Sequence, residues 1–178
     1  MPSPVGHALG GVICALALGG ERPSHPRAGP LRRLIADRVV WAAAIAAVLP
    51  DLDFLWGRHS METHSLGAAV LAGVAALAWT RGRGKRFAMV IAAAWASHVL
   101  LDWLGSDDTP PLGVMALWPM SSAFYFAEAF MFEAISRRYW LAGFVRHNLW
   151  ALATETLMLA PVAAALALWR GRPRPPAI

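Results

Sequence analysis

Five apolar stretches divide the chain. They run from about Val5 to Gly20, Leu34 to Leu49, His64 to Thr80, Phe87 to Leu104 and Leu149 to Trp169. Most are about 16 to 18 residues long, near the ~20 of a membrane-spanning helix but below it. They are rich in Ala and Gly, which suits close helix packing within a membrane. The pattern predicts an all-α fold: a polytopic membrane helical bundle with about five transmembrane helices. A buried helical bundle is the alternative that such runs also allow. No internal repeat and no coiled-coil heptad is visible.

The linkers carry their own signals. The 105–148 linker opens with Ser106-Asp107-Asp108-Thr109-Pro110-Pro111-Leu112-Gly113, which is turn chemistry. Val114 to Phe132 is then apolar and aromatic, with Pro119 inside it. This predicts a re-entrant or interfacial segment that roofs the helix ends. The C-terminal residues hold Pro173, Pro175 and Pro176. The expected layout is one membrane-embedded domain over 1–170 and a disordered cytoplasmic tail over 171–178.

Composition agrees with a membrane protein. The chain is 57% hydrophobic, and its 15% of charged residues lies well below the ~25% of a soluble domain. Mean hydropathy is +0.46. The single cysteine, Cys14, lies inside an apolar run and reads as a buried structural thiol. No Lys or Arg precedes Glu21, so the first run reads as a retained segment and not a secretory signal.

The net charge of +5 raises the question of nucleic acid, and the charge distribution argues against it. Basic residues fall into separate short segments, and the tryptophans accompany the apolar runs. Arg22, Arg27, Arg32 and Arg33 follow the first run. Arg81, Arg83, Lys85 and Arg86 follow the third, and Arg170, Arg172 and Arg174 follow the fifth. The remaining linkers hold Arg58 and then Arg137, Arg138 and Arg146. The positive-inside rule predicts an outer N-terminus and a cytoplasmic C-terminus. Trp56, Trp79, Trp103, Trp150 and Trp169 near run ends fit interfacial belts.

That topology, drawn from Lys and Arg alone, gathers another set of residues at the outer face. His7 starts the first helix there, and Asp51 and Asp53 end the second. His64 opens the third. His98 and Asp102 lie one turn apart on one face of the fourth. Imidazoles and carboxylates among apolar residues call for a partner or a function. The set His7, Asp51, Asp53, His64, His98 and Asp102 is the expected metal site. Glu155, Asp107 and Asp108 are further candidates for substrate binding or for supporting the ligands. His25, His59 and His147 read as surface residues.

At these residues the chain resembles the bacterial membrane-bound metal-dependent hydrolases, also described as LexA-binding, inner-membrane-associated hydrolases. The matching pieces are Gly6-His7-Ala8-Leu9-Gly10-Gly11, Leu49-Pro50-Asp51-Leu52-Asp53, Thr63-His64-Ser65, His98-Val99-Leu100-Leu101-Asp102, and Pro111-Leu112-Gly113 with Leu117-Trp118-Pro119. The ligand types are also similar to those of the zinc-dependent bacterial phospholipases C. Here the second His-x-x-x-Glu of that pattern is missing: His147 and Glu155 stand eight apart.

The resemblance implies a hydrolase in the bacterial inner membrane. Without a cysteine ligand, the donor set suits Zn2+ first, with Mn2+ or Fe2+ as alternatives. The expected chemistry is hydrolysis of a small-molecule or lipid phosphoester by a metal-activated water at the outer face. Whichever of Asp51 and Asp53 is not a ligand would orient or deprotonate that water. The expected partners are the lipid bilayer, the substrate and a cytoplasmic protein attracted to the basic loops. The alternative is a non-catalytic regulatory membrane protein, with LexA as the type of partner and a structural metal site.

Overall fold

The computed structural model describes residues 1–19, 34–57, 59–107 and 110–171. Among these residues five α-helices and one 3-10 helix have both ends defined: α1 (Pro4–Leu18), α2 (Arg38–Val48), the 3-10 helix Leu49–Trp56, α3 (Leu66–Trp79), α4 (Lys85–Trp103) and α5 (Phe144–Gly171). Polar caps set where the apolar runs become helical. The Ser3 hydroxyl accepts from the Val5 and Gly6 N–H groups, with Pro4 in the first turn. Asp37 accepts from Val39 N–H, and Ser65 accepts from Ala68 N–H. Pro50 follows the end of α2, where the chain tightens into the 3-10 helix.

α1 packs against α2, α4 and α5, and α4 also packs against α2 and α3. The core between them is built from small side chains: Ala15, Ala43, Ala46, Ala47 and Ala94, with Val40 and Val90. Small residues let the backbones approach closely. A Cβ at Gly11 would lie 2.3 Å from the Ala43 carbonyl oxygen, so only glycine fits where α1 meets α2.

The five-span expectation is overturned. Among the described residues one helix, α5 with 28 residues, is long and apolar enough to cross a membrane. α1, α2 and α3 have 15, 11 and 14 residues. At 1.5 Å per residue the longest of these reaches about 22 Å, short of the ~30 Å hydrocarbon core. α4 has 19 residues but carries Lys85, Arg86, His98 and Asp102, which lower its hydropathy. The apolar runs are cut by their caps and by Pro50, and Ala-rich runs pack against one another as readily as they pack in lipid. With one candidate span the charge asymmetry also disappears. Arg137, Arg138 and Arg146 flank one end of α5, and Arg170, Arg172 and Arg174 flank the other.

The re-entrant or interfacial segment expected in the 105–148 linker is replaced by irregular chain and the first turn of α5, which begins at Phe144. Isolated bridges pair Gly105 with Phe132 and Val114 with Tyr125. Leu66 N–H donates to the Ala116 carbonyl, and Ile135 N–H donates to the Met1 carbonyl. Val114, Met115 and Phe132 are buried beneath this layer. The described residues between 105 and 143 therefore cover the helix ends around Met1 and Leu66. Residues 172–178 of the expected tail lie outside the described residues. Large apolar side chains also face outward on α2 and α3, among them Trp41, Ile45, Val70 and Leu71.

Gly11→Val should lower the stability of the bundle by roughly 1–3 kcal/mol, since the added side chain must push α1 off α2. Thermal unfolding of the purified protein, followed by circular dichroism, measures the change.

Candidate metal centre

His7 lies in the first turns of α1, and two features of the chain fix it. Ser3 N–H donates to Glu155 Oε2 at 2.9 Å, and the Ser3 hydroxyl donates to Glu155 Oε1. Glu155, 1% exposed on α5, thus anchors the start of α1. A Cβ on residue 6 would lie 2.7 Å from Glu155 Oε2, so Gly6 admits this carboxylate. His98 and Asp102 come from successive turns of α4. Asp51 and Asp53 come from the 3-10 helix, and His64 immediately precedes the Ser65 cap of α3.

Three imidazoles and two carboxylates converge. His98 Nε2 is 2.9 Å from Asp102 Oδ2, and His64 Nε2 is 3.4 Å from the same oxygen. His7 Nε2 is 3.3 Å from Asp102 Oδ1. Asp51 Oδ1 lies 3.7 Å from His64 Nε2 and 3.8 Å from His98 Nε2. The His7 and His98 rings stack with centroids 3.8 Å apart. His7, His64 and His98 are 0% exposed and Asp102 is 2% exposed.

The opposite side of two rings is held in place. His98 Nδ1 is 2.7 Å from the Ala47 carbonyl, to which it donates, leaving Nε2 as the lone-pair nitrogen. His64 Nδ1 is 3.1 Å from Asp53 Oδ2. Asp53 faces away from the convergence point. Its Oδ1 is 2.8 Å from His59 Nδ1, and its Oδ2 accepts from the Thr63 hydroxyl at 2.6 Å. Among the described residues, Nε2 of His64 and of His98, both ring nitrogens of His7 and both oxygens of Asp102 are buried with no hydrogen-bond partner. Such groups are costly to bury unless something pairs them.

The electrostatics favour a cation. Burial raises the Asp51 pKa, but the His64, His98 and His7 rings outweigh it and hold the carboxyl below its usual range. Burial acts the same way on Asp53, where His59, His64 and Thr63 together hold the carboxyl far below that range. Burial lowers the His64 pKa, yet the Asp51, Asp53 and Asp102 carboxylates raise it to about 9. The pocket thus calls for positive charge at His64, which a proton or a metal ion can supply. Three overlapping groups have donor atoms close enough to share an ion: His7, Asp51 and His98; Asp51, His59 and His64; and His64, His98 and Asp102.

Of the residues singled out in the sequence, His7, Asp51, His64, His98 and Asp102 therefore meet in one place. Asp53 stands behind them and orients two imidazoles. Glu155 pairs with Ser3 at the α1–α5 joint. Asp107 accepts from Gly113 N–H at 3.0 Å and lines a cavity beside Asp51. Asp108 lies outside the described residues. His59, expected at the surface, joins the cluster. Its signal was the crowding of Asp53, His59, Thr63 and His64 around one short turn.

A small-residue helical bundle with a buried His/Asp centre at its capped end is the class these observations define. The chain belongs to the YdjM inner membrane protein family, whose model matches residues 1–173. That description gives the inner membrane and names neither hydrolysis nor LexA. No curated protein and no solved structure matches the chain.

Asp53→Asn should weaken divalent-metal affinity about 10–100-fold, because an amide cannot accept from both His59 and His64 as the carboxylate does. Competition against a chromophoric chelator measures it.

Proposed function

We propose that this chain is a metal-dependent hydrolase of the inner membrane acting on a phosphoester. One observation carries the reading: buried atoms of His7, His64, His98 and Asp102 lie against one another without hydrogen bonds. Apolar surroundings would expel such groups unless a cation joined them. Nitrogen and carboxylate donors without a thiolate suit zinc, and also manganese or iron(II). When bound, the metal supplies Lewis acidity and lowers the pKa of water.

The chain's own residues divide the remaining work. His7, His64, His98 and Asp102 are the holding groups. Asp51 is more exposed, its side chain being 18% accessible, and it lines a cavity of about 240 Å3. It is the carboxylate of the set that faces the open side, where it can orient a water. Arg137 lines the same cavity, its guanidinium 4.5 Å from the Phe54 ring centroid. A guanidinium at the mouth of a metal site favours an anionic substrate, and phosphoester oxygens match its planar donors.

Complete burial of four holding residues also fits a structural metal site in a non-catalytic interaction protein. The cavity reaching Asp51 favours hydrolysis over that reading.

His98→Ala and Asp102→Ala should each remove bound metal from the detergent-purified protein, as read by elemental analysis. Wild-type metal content in both variants would defeat the proposal. Arg137→Ala should raise KM for a phosphoester about tenfold with metal content unchanged, as read by steady-state kinetics. An unchanged KM would remove Arg137 from substrate binding.

A further inference from the structure

We propose that Asp51, His59 and His64 form a second divalent-cation subsite, so that the centre holds two ions and not one. The inference rests on reading His7, His64, His98 and Asp102 as a metal centre.

The number of donors is the first argument. His7, His59, His64, His98, Asp51 and Asp102 supply six donor residues, and a single zinc ion is ordinarily satisfied by four. Donor atoms of Asp51, His59 and His64 lie within 4.8 Å of one another, as do those of His7, Asp51 and His98. Each imidazole nitrogen serves one ion, whereas a carboxylate can serve two. The residues divide on that basis: His7 and His98 to one ion, His59 and His64 to the other, and Asp51 and Asp102 shared. Asp102 touches both sets, and His98 and His64 meet at the same oxygen. Its Oδ1 faces His7 at 3.3 Å, and its Oδ2 faces His98 at 2.9 Å and His64 at 3.4 Å.

The second argument is the support behind His59. One buried carboxylate, Asp53, holds two rings at once: His59 Nδ1 at 2.8 Å from Oδ1 and His64 Nδ1 at 3.1 Å from Oδ2. With Nδ1 engaged on both, Nε2 is the ligating nitrogen on both. A carboxylate behind a metal-bound imidazole is the usual supporting arrangement, and here it serves a pair. Phe54 stacks on His59 with centroids 3.6 Å apart, and His59 meets His64 edge-on at 4.7 Å. A ring braced on both sides is unlike a solvated surface histidine.

Charge is the third argument. Asp51, Asp53 and Asp102 surround the site, so one dication leaves a net negative charge in a buried region. Two dications leave a net positive one, which an anionic ligand balances. His59 and Asp51 both line the cavity that Arg137 also lines. The second ion would therefore sit on the substrate side.

The test is a metal count on the full-length, detergent-purified protein loaded with Zn2+ and dialysed. Wild type should retain two ions per chain, and His59→Ala and His59→Asn one each. Loaded with Mn2+, wild type should give the electron paramagnetic resonance signal of an exchange-coupled pair, and both variants that of an isolated ion. A wild-type count of one, or His59 variants holding as many ions as wild type, overturns the inference and leaves the single-metal reading standing. A wild-type count of zero overturns both. If neither variant folds, the wild-type count and its coupling signal decide.

Discussion

The constraint that orders this structure is the burial of imidazole nitrogens and carboxylate oxygens that face one another without forming hydrogen bonds. Leaving one such group unpaired costs roughly 1–3 kcal/mol, more for a charged one. His7, His64, His98 and Asp102 concentrate six of these atoms at one point. Folding brings them together against that cost, and only an external cation or a set of protons relieves it. The raised pKa of His64 and the depressed ones of Asp51 and Asp53 express the same demand for positive charge.

Much of the remaining structure holds this cluster in register. Glu155 on α5 fixes Ser3, which caps α1 and so sets His7 one turn further on. The Ala47 carbonyl at the end of α2 orients His98. Asp53, two residues beyond Asp51 on the 3-10 helix, orients His59 and His64. Alanine and glycine between the helices allow the close approach that brings α1, α2 and α4 within side-chain reach of a common point. The irregular chain from 110 to 143 covers the same end and brings Arg137 to the cavity beside Asp51.

The membrane character reads differently from sequence and from structure. Hydropathy alone counted five runs, and among the described residues one helix is both long and apolar enough to cross a bilayer. Length was the missing quantity. A run of apolar residues does not reveal where Ser3, Asp37, Pro50 and Ser65 begin or end a helix. Nor does it tell an alanine face buried against another helix from one buried in lipid. Family membership nevertheless gives the inner membrane, and the outward-facing Trp41, Ile45, Val70 and Leu71 fit an apolar environment.

The sequence by itself determined what depends on local spacing. His98 and Asp102 had to share a helix face, because four residues make one turn. Helical content followed from the runs, and the candidate His/Asp cluster followed from ionisable residues within them. Tertiary structure alone decided which of Asp51 and Asp53 faces the centre, because the turn of a 3-10 helix separates two side chains that sequence leaves equivalent. It alone brought in His59, whose ring is fixed by Asp53 and Phe54, and turned Glu155 toward Ser3. Those outcomes depend on contacts between residues far apart in the chain or on the exact rotation of a short turn. No local pattern encodes either.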